Sequence, residues 1–298
     1  MRATLDPDPI TRVSVLSTGA QTTRPQVATG TRQPQLLWLL TTRQWAAPVP
    51  INVFVIEHSK GLVLFDIGQD LASVTEPGYY PGGLAGALYR RLGYATMGPA
   101  DTLSAGLATL GYHISEVRTA VLSHLHHDHV GGLRDLRHAD IVVNRREWET
   151  LNGRSPEMRG LLRKHIDLPG LRWQIITPDQ AVDARLAPFT TGYDLFDDGS
   201  LVLLPTPGHT PGSLSMLVNR PSRPSLLLVG DLVFHAGQIG RGQVPGVNDK
   251  RVTLETTERV RALHRQLPGG LTVLAAHDPA AADLLAHASA SPTITRRA

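Results

Sequence analysis

Apolar residues occur along this chain in short runs that are separated by glycine, proline and aspartate. Runs of this length predict strands, and the first four comprise residues 12–17, 36–40, 51–57 and 62–66. Ser59-Lys60-Gly61 is typical of a hairpin turn between the last two runs. We therefore expect the chain to begin with an antiparallel sheet.

Two segments have the apolar spacing of an amphipathic helix, namely residues 100–110 and 252–267. Further strand-like runs lie at residues 119–122, 141–144, 172–177, 194–196, 201–205, 213–218, 226–231 and 271–275. A strand that ends in aspartate occurs twice, which suggests two similar halves packed sheet on sheet with helices outside. The predicted fold class is α/β (α+β), a four-layer αβ/βα sandwich.

The pattern also indicates how the chain is organised. No linker rich in proline, glycine or serine divides it, so residues 11–287 are predicted to form a single domain. Residues 72–98 interrupt the strand pattern with glycine and tyrosine, which predicts an inserted loop or lid. Residues 1–10 and 288–298 are small, polar and proline-containing, and both ends are predicted to be disordered.

The composition is that of an ordinary soluble globular protein, with 41% hydrophobic and 18% charged residues. Its 29 lysine and arginine residues are interspersed with 26 acidic residues, and only 5% of the chain is aromatic, so no nucleic-acid partner is expected. No apolar run reaches the roughly 18–20 residues of a membrane span, and the first residues lack the apolar core of a secretory signal. We expect a cytoplasmic protein with a small-molecule substrate and no membrane partner.

The chain contains no cysteine, which excludes disulfides, iron–sulfur clusters and a cysteine nucleophile. Histidine, aspartate and glutamate are then the strong metal ligands. Several of them follow the predicted strand 119–122 in the sequence SHLHHDHVGG, residues 123–132. On an extended segment His124 and His126 point to one side, and the turn that follows lets Asp128 and His129 reach a neighbouring position. One segment can thus supply ligands to two metal ions.

Three more candidate ligands follow predicted strands further along the chain. They are His209 in the turn PTPGHTPG, Asp231 after LLLVG and His277 after LTVLAA. Ligands at the ends of strands are held on rigid elements, as a metal site requires.

These residues resemble the metallo-β-lactamase fold superfamily, whose members carry an HxHxDH motif and then a His, an Asp and a His at later strand ends. The resemblance covers residues 52–278. It implies two divalent metal ions, of which one would be bound by His124, His126 and His209, the other by Asp128, His129 and His277, with Asp231 bridging them. Asp66, in LFDIG, would be the early aspartate that orients a ligand histidine.

Two such ions hold a shared hydroxide, lower its pKa towards neutrality and polarise a carbonyl or phosphoryl oxygen. Asp128 would be the catalytic residue that accepts and carries the proton. Zinc is the expected metal, with iron, manganese or cobalt as alternatives because the ligands alone do not fix the metal. The sequence therefore predicts a metal-dependent hydrolase.

The resemblance is strongest to the N-acyl homoserine lactonases, which are quorum-quenching enzymes. The full set of five histidines and two aspartates resembles theirs and that of the type II glyoxalases, whereas metallo-β-lactamases proper mostly use a cysteine or lack the bridging aspartate. The hairpin at residues 50–70 and the tyrosine-rich segment 72–98 favour the lactonases. We expect an enzyme that opens the ring of an N-acyl homoserine lactone.

One position departs from the lactonase pattern. In those enzymes a tyrosine commonly lies three residues after the bridging aspartate and touches the substrate carbonyl, whereas this chain has Phe234 there. Phenylalanine cannot donate a hydrogen bond. Either another donor, such as His235, Tyr79 or Tyr80, takes this role or the substrate differs.

Other functions of the same fold stay open. Hydrolysis of other esters, thioesters or phosphotriesters would use the same ions, and a mononuclear iron dioxygenase would use similar ligands. The segment 72–98 is compatible with a lid or with a homodimer contact. Aromatic and sulfur-containing residues in glycine-rich segments are candidates for an acyl-chain pocket or for packing the segment onto the body, namely Trp38, Trp45, Tyr79, Tyr80, Tyr89, Tyr94 and Met97.

Overall fold

The computed structural model describes residues 8–220, 223–267 and 270–290. Within these ranges the strands are β1 (Ile10–Thr23), β2 (Val49–His58), β3 (Gly61–Phe65), β4 (Gly93–Thr96), β5 (Val117–Val121), β6 (Asp140–Asn144), β7 (Arg172–Ile176), β8 (Gln180–Ala181), β9 (Thr191–Asp194), β10 (Leu201–Pro205), β11 (Leu214–Val218), β12 (Ser225–Leu228) and β13 (Leu271–Leu274). They form a seven-stranded sheet in the order β4-β1-β2-β3-β5-β6-β7 and a six-stranded sheet in the order β13-β12-β11-β10-β9-β8.

The α-helices in the same ranges are α1 (Pro25–Thr29), α2 (Gln35–Thr41), α3 (Ala72–Thr75), α4 (Gly83–Leu92), α5 (Leu103–Thr109), α6 (Arg145–Leu151), α7 (Arg163–Ile166), α8 (Gly237–Arg241), α9 (Lys250–Gln266) and α10 (Ala281–Ala290). Short 3-10 turns lie at Pro99–Asp101, Ile114–Glu116, Gly131–Asp135, Pro156–Arg159 and Ala184–Leu186. No helix of the described ranges is long and apolar enough to cross a membrane.

The core lies between the two sheets and on their outer faces. Phe54 and Phe65 of the first sheet pack with Leu203 and Met216 of the second in one buried cluster. The outer face of the first sheet packs against α5, and the outer face of the second packs against α9. The predicted four-layer sandwich is confirmed, because strands that are apolar on both faces need a covering layer on each side.

The topology brings the ends of several strands to one edge. β3, β5, β6 and β7 are parallel, so the residues that follow β3 and β5 leave the sheet side by side. Asp66 N donates to Val121 O at 2.9 Å, and Ile67 N donates to His129 O at 3.1 Å. Leu214 N, at the start of β11, donates to Ser123 O at 2.9 Å and connects this edge to the second sheet.

One predicted strand is a helix. Residues 36–40 lie within α2, where Trp38 and Leu39 are buried while Leu36 and Leu40 are largely exposed. A short apolar run without β-branched residues fits either structure, and Pro34, directly before the first residue of α2, is compatible with the start of a helix. The predicted strand 194–196 overlaps β9 only at Asp194.

Residues 72–98, predicted to be an inserted loop or lid, have secondary structure of their own. This segment contains α3, α4 and β4, and β4 pairs antiparallel with the end of β1. It thus completes the edge of the first sheet. A four-residue strand rich in glycine and tyrosine carries too little apolar alternation to be identified from sequence.

The predicted disordered ends also need correction where they are described. β1 begins at Ile10, which is buried, and Asp8 Oδ1 accepts a hydrogen bond from its backbone nitrogen. At the other end α10 continues to Ala290, and Ala288 packs in the core between the sheets. Residues 1–7 and 291–298 lie outside the described residues.

Candidate metal centre

The seven side chains that the sequence singled out meet at one edge of the sandwich. Each follows the carboxyl end of a strand: the HxHxDH segment follows β5, His209 follows β10, Asp231 follows β12 and His277 follows β13. Their side-chain nitrogen and oxygen atoms form three overlapping groups of a size that could hold a metal ion, namely His124 with His126 and His209, His124 with His129 and Asp231, and Asp128 with His129 and His277.

Asp231 lies between the two sets of histidines. Its Oδ1 atom is 3.4 Å from His129 Nε2 and 3.3 Å from His277 Nε2. Its Oδ2 atom is 3.5 Å from His209 Nε2 on the other side. The two oxygens of one carboxylate therefore face different histidine groups, which is the geometry that a bridging ligand requires.

The outward nitrogen of each of these five imidazoles has a hydrogen-bond partner. The five contacts are His124 Nδ1 with Ser123 Oγ at 2.9 Å, His126 Nε2 with Arg159 O at 2.9 Å, His129 Nδ1 with Asp66 Oδ2 at 2.9 Å, His209 Nδ1 with Asn248 Oδ1 at 2.8 Å and His277 Nδ1 with Pro50 O at 2.9 Å. The carbonyl and carboxylate oxygens accept the imidazole proton on this side, and so does Ser123 Oγ, which donates its own proton to Asp66 Oδ2. The opposite nitrogen then offers its lone pair to the centre.

The inward atoms supply a test of whether the residues fit a metal. His124 Nε2, His129 Nε2, His277 Nε2 and Asp231 Oδ1 are buried and have no hydrogen-bond partner among the described residues. Leaving a buried polar group unsatisfied costs about 1–3 kcal/mol. Four such atoms directed at one centre, all nitrogen or carboxylate oxygen, fit divalent ions such as zinc, iron, manganese or cobalt.

The charges of the centre fall into two classes. Burial, helped by neighbouring imidazoles, holds the pKa of His124 well below its usual value and lowers the pKa of His126 to about 3, so both imidazoles are neutral. Burial also acts to lower the pKa of His277, but Asp231 and Asp128 outweigh it and raise this pKa to about 10. His277 must lose this proton before a metal can bind at Nε2, so metal binding is coupled to proton release.

Asp66 contacts the outward nitrogen of His129, on the side away from the centre. Its Oδ2 accepts from His129 Nδ1 and from Ser123 Oγ, both at 2.9 Å, and its Oδ1 accepts from Ser123 N at 2.7 Å. Its backbone φ is +59°, a conformation that aspartate and asparagine tolerate better than most residues. Asp66 thus holds the residue before the HxHxDH segment and the last histidine of that segment in place.

Glu147 on α6 is a second organising carboxylate, and the sequence did not identify it. It is fully buried, and it accepts hydrogen bonds from Leu125 N, Thr210 Oγ1 and Gly212 N at 3.2, 2.8 and 3.2 Å. Leu125 lies within the HxHxDH segment, and Thr210 and Gly212 follow His209. Glu147 therefore joins the two loops that carry His124, His126 and His209.

A cavity of about 750 Å³ leads to the centre and is lined by His126, Asp128, His209 and Asp231. Other wall residues come from α4, β4 and the turn Pro156–Arg159. Among the aromatic candidates, Tyr80, Tyr89, Tyr94 and Phe234 line this cavity. Trp38 lies fully buried in a cluster with Phe234, and Trp45 packs edge-on against Tyr94. Tyr79, His235 and Met97 are not among the described residues of the cavity wall.

Comparison with known proteins also indicates a metal-dependent hydrolase. A family profile described as the metallo-beta-lactamase superfamily matches residues 46–277. The N-acyl homoserine lactonase AttM of Azorhizobium caulinodans is 32% identical over 235 residues, which cover 78% of this chain and 82% of the relative.

Solved structures agree on the fold. An N-acyl homoserine lactone hydrolase with N-hexanoyl-L-homoserine bound at its catalytic metal centre aligns with a TM-score of 0.70 and 21% identity, covering 91% of this chain and 94% of that one. AidC, a dizinc quorum-quenching lactonase, aligns with a TM-score of 0.58 and 16% identity over 92% of both chains. The expected resemblance is confirmed: this chain belongs to the metallo-β-lactamase superfamily and is a metal-dependent hydrolase.

Proposed function

We propose that this protein is a lactonase that opens the ring of N-acyl homoserine lactones with the help of two divalent metal ions. Zinc is the metal that fits the ligands best. One ion would be held by His124, His126 and His209, the other by Asp128, His129 and His277, with Asp231 between them. The observation that carries the proposal is the position of Asp231, whose oxygens face both histidine groups. The relationship to AttM supports the lactone as substrate.

When bound, the ions would polarise the lactone carbonyl and lower the pKa of water enough to supply a nucleophile at neutral pH. The protein's own contribution is to hold the ligands rigidly and to move a proton. Asp128 borders the cavity, with Oδ2 3.4 Å from His277 Nε2 and Oδ1 3.9 Å from His127 Nδ1. We assign to Asp128 the transfer of the proton from the attacking water to the leaving alkoxide.

The cavity wall suits a substrate with an apolar chain. Val27, Leu92, Phe234 and Val247 form a continuous apolar side, and Val27, Leu92 and Val247 all pack in the cluster around Phe234. An acyl chain placed along this side would leave the ring at the metal centre. Apolar walls with a few polar groups at one end are typical of small-molecule sites.

The test is hydrolysis of a substrate panel by the zinc-loaded protein, followed by titration of the acid released. We expect N-hexanoyl and N-decanoyl homoserine lactones to be opened faster than a thioester or a phosphotriester, and we expect a chelator to abolish the reaction. Faster phosphotriester turnover would assign the site to phosphoryl substrates instead. Oxygen consumption by the iron-loaded protein without lactone opening would assign it to a dioxygenase.

A further inference from the structure

Phe234 cannot take part in hydrogen bonding to a substrate, and the structure explains what it does instead. Its ring stacks on His277, with centroids 4.9 Å apart and an angle of 27° between the planes. Together with Val27, Trp38 and Leu39 it forms a buried apolar cluster beside the cavity. The residue therefore supports a candidate ligand and the first two helices, and a donor for the substrate must come from elsewhere.

Three of the other candidate donors are poorly placed or already engaged. Tyr79 stacks on His165 with centroids 3.9 Å apart, outside the described cavity wall. His235 also lies outside that wall, and its Nδ1 is 3.7 Å from Asp278 Oδ1. Tyr89 lines the cavity, but its hydroxyl donates to Glu157 O at 3.0 Å.

Tyr80 differs from these residues in its position in the cavity and in the hydrogen bonding of its hydroxyl. It lines the same cavity as Asp128 and Asp231, and its ring packs edge-on against His127 with centroids 5.3 Å apart. Its hydroxyl oxygen accepts a hydrogen bond from Gln69 Nε2 at 3.5 Å. The hydroxyl of Ser73, which also lines the cavity, acts on the same phenol oxygen and, like Gln69, favours the charged form of the phenol.

The orientation of Gln69 fixes the direction of that hydrogen bond. Gln69 Oε1 contacts His127 Nδ1 at 3.1 Å, and an amide oxygen can only accept, so His127 carries the proton there. The amide NH₂ of Gln69 must then face Tyr80. Tyr80 is held as an acceptor on one side, which leaves its own hydrogen free to donate into the cavity.

The surroundings keep Tyr80 in its donor form. Burial, together with the charge of Asp128, raises the pKa of Tyr80 to about 12, so the phenol stays protonated at neutral pH. Gln69 and Ser73 act against burial and lower this pKa, because both donate towards the phenol oxygen rather than accept its proton. A polar substrate group placed next to Tyr80 would therefore meet a donor that is not already satisfied.

We propose that Tyr80 donates a hydrogen bond to the carbonyl oxygen of the lactone and so supplies the donor that Phe234 lacks. Gln69 and His127 position the phenol for this contact. The inference rests on the proposed lactonase function and adds a substrate-binding residue from the segment between β3 and β4. It also gives that segment a direct part in the site.

The experiment compares Tyr80→Phe with Tyr79→Phe, which removes a hydroxyl one residue away that lies outside the cavity wall. For Tyr80→Phe we expect kcat/KM for N-hexanoyl homoserine lactone to fall about 100- to 1,000-fold, as for loss of one donor to a reacting carbonyl. Zinc content and Tm should stay at the wild-type values. Tyr79→Phe should keep wild-type kcat/KM, since its buried hydroxyl has no partner to lose.

Two further measurements separate a contact with substrate from a structural effect. The double variant Tyr80→Phe/Phe234→Tyr places a hydroxyl where the lactonase pattern has one, and we expect it to recover at least tenfold of the lost kcat/KM. Equilibrium dialysis of N-hexanoyl homoserine lactam, which the enzyme cannot open, should give a Kd about 2- to 12-fold higher for Tyr80→Phe, the range for one lost hydrogen bond.

The outcomes distinguish the two proposals. If the zinc-loaded wild-type protein opens no lactone, the proposed function is wrong, and the role of Tyr80 in lactone binding is wrong with it. If the wild-type protein opens lactones and Tyr80→Phe does so equally well with an unchanged Kd for the lactam, only the role of Tyr80 is overturned.

Discussion

Replacing Glu147 with glutamine tests how the two ligand loops are held together. The carboxylate accepts from Leu125 N through Oε1 and from Thr210 Oγ1 and Gly212 N through Oε2. Glutamine has the same shape but only one acceptor oxygen, and its NH₂ group must face donors on the other side. We expect Glu147→Gln to loosen the HxHxDH segment, the turn around His209, or both.

The magnitude follows from the hydrogen bonds that are lost. A hydrogen bond to a charged group contributes about 1.5–3 kcal/mol, and glutamine loses one or two of the three. Burial raises the pKa of Glu147, so desolvation of the charge offsets part of that gain in the wild-type protein. We expect a net loss of about 2–3 kcal/mol. At about 2–4 °C per kcal/mol for a large domain, Tm should fall by about 4–12 °C.

The assay is thermal unfolding by calorimetry together with zinc competition against a chelator. Glu149→Gln is the matched control, because Glu149 lies on the same helix and is exposed. We expect zinc affinity to fall about tenfold in Glu147→Gln, in line with other outer partners of metal ligands, and to be unchanged in Glu149→Gln. Wild-type Tm and zinc affinity in Glu147→Gln would refute the reasoning.

Two other substitutions test the residues that hold the candidate ligands in place. Asp66→Asn keeps a residue type that tolerates the positive φ, so the fold should persist while zinc affinity falls about 10- to 100-fold. The control is Asp197→Asn, at an exposed residue with a φ of +58°. Equal zinc affinity in the two variants would contradict the role of Asp66. Gly212→Ala would place Cβ 2.4 Å from Glu147 N, so we expect a loss of about 1–3 kcal/mol in calorimetry. Gly240→Ala, which meets no atom within 4 Å, should show no such overpacking, and an equal effect of the two would argue against the close packing at Glu147.

The candidate ligands could be found from sequence because their signal is local. The HxHxDH segment begins three residues after a largely buried strand, and His209, Asp231 and His277 also come soon after apolar strands. Strand ends of this kind are positions where a sheet fixes the direction of the chain. The structure then brings these ends together at one edge.

Glu147 could not be found in this way, because its partners are 22, 63 and 65 residues away in sequence. Within α6 it looks like any acidic residue of a short helix. Its burial depends on the approach of the turn at Gly212, which is a tertiary contact. The donor role of Tyr80 is similar, since it depends on the direction in which Gln69 and His127 point.

The sequence did not predict the correct secondary structure where an apolar run was short or where pairing with another strand decides whether a strand forms. The leucine-rich run in α2 forms a helix because Trp38 and Leu39 pack into the cluster around Phe234. β4 exists as a strand because the end of β1 offers it a free edge. Neither cause can be read from a window of a few residues.

On the proposed function, the five imidazoles and two carboxylates bind two ions that lactone opening requires. Metal-free protein should be titrated with zinc while bound metal and the rate of N-hexanoyl homoserine lactone opening are measured on the same sample. We predict that turnover rises to its maximum as two equivalents of zinc bind per chain and that the metal-free protein is inactive. Full turnover by the metal-free protein, or saturation of both binding and activity at one equivalent, would contradict the account.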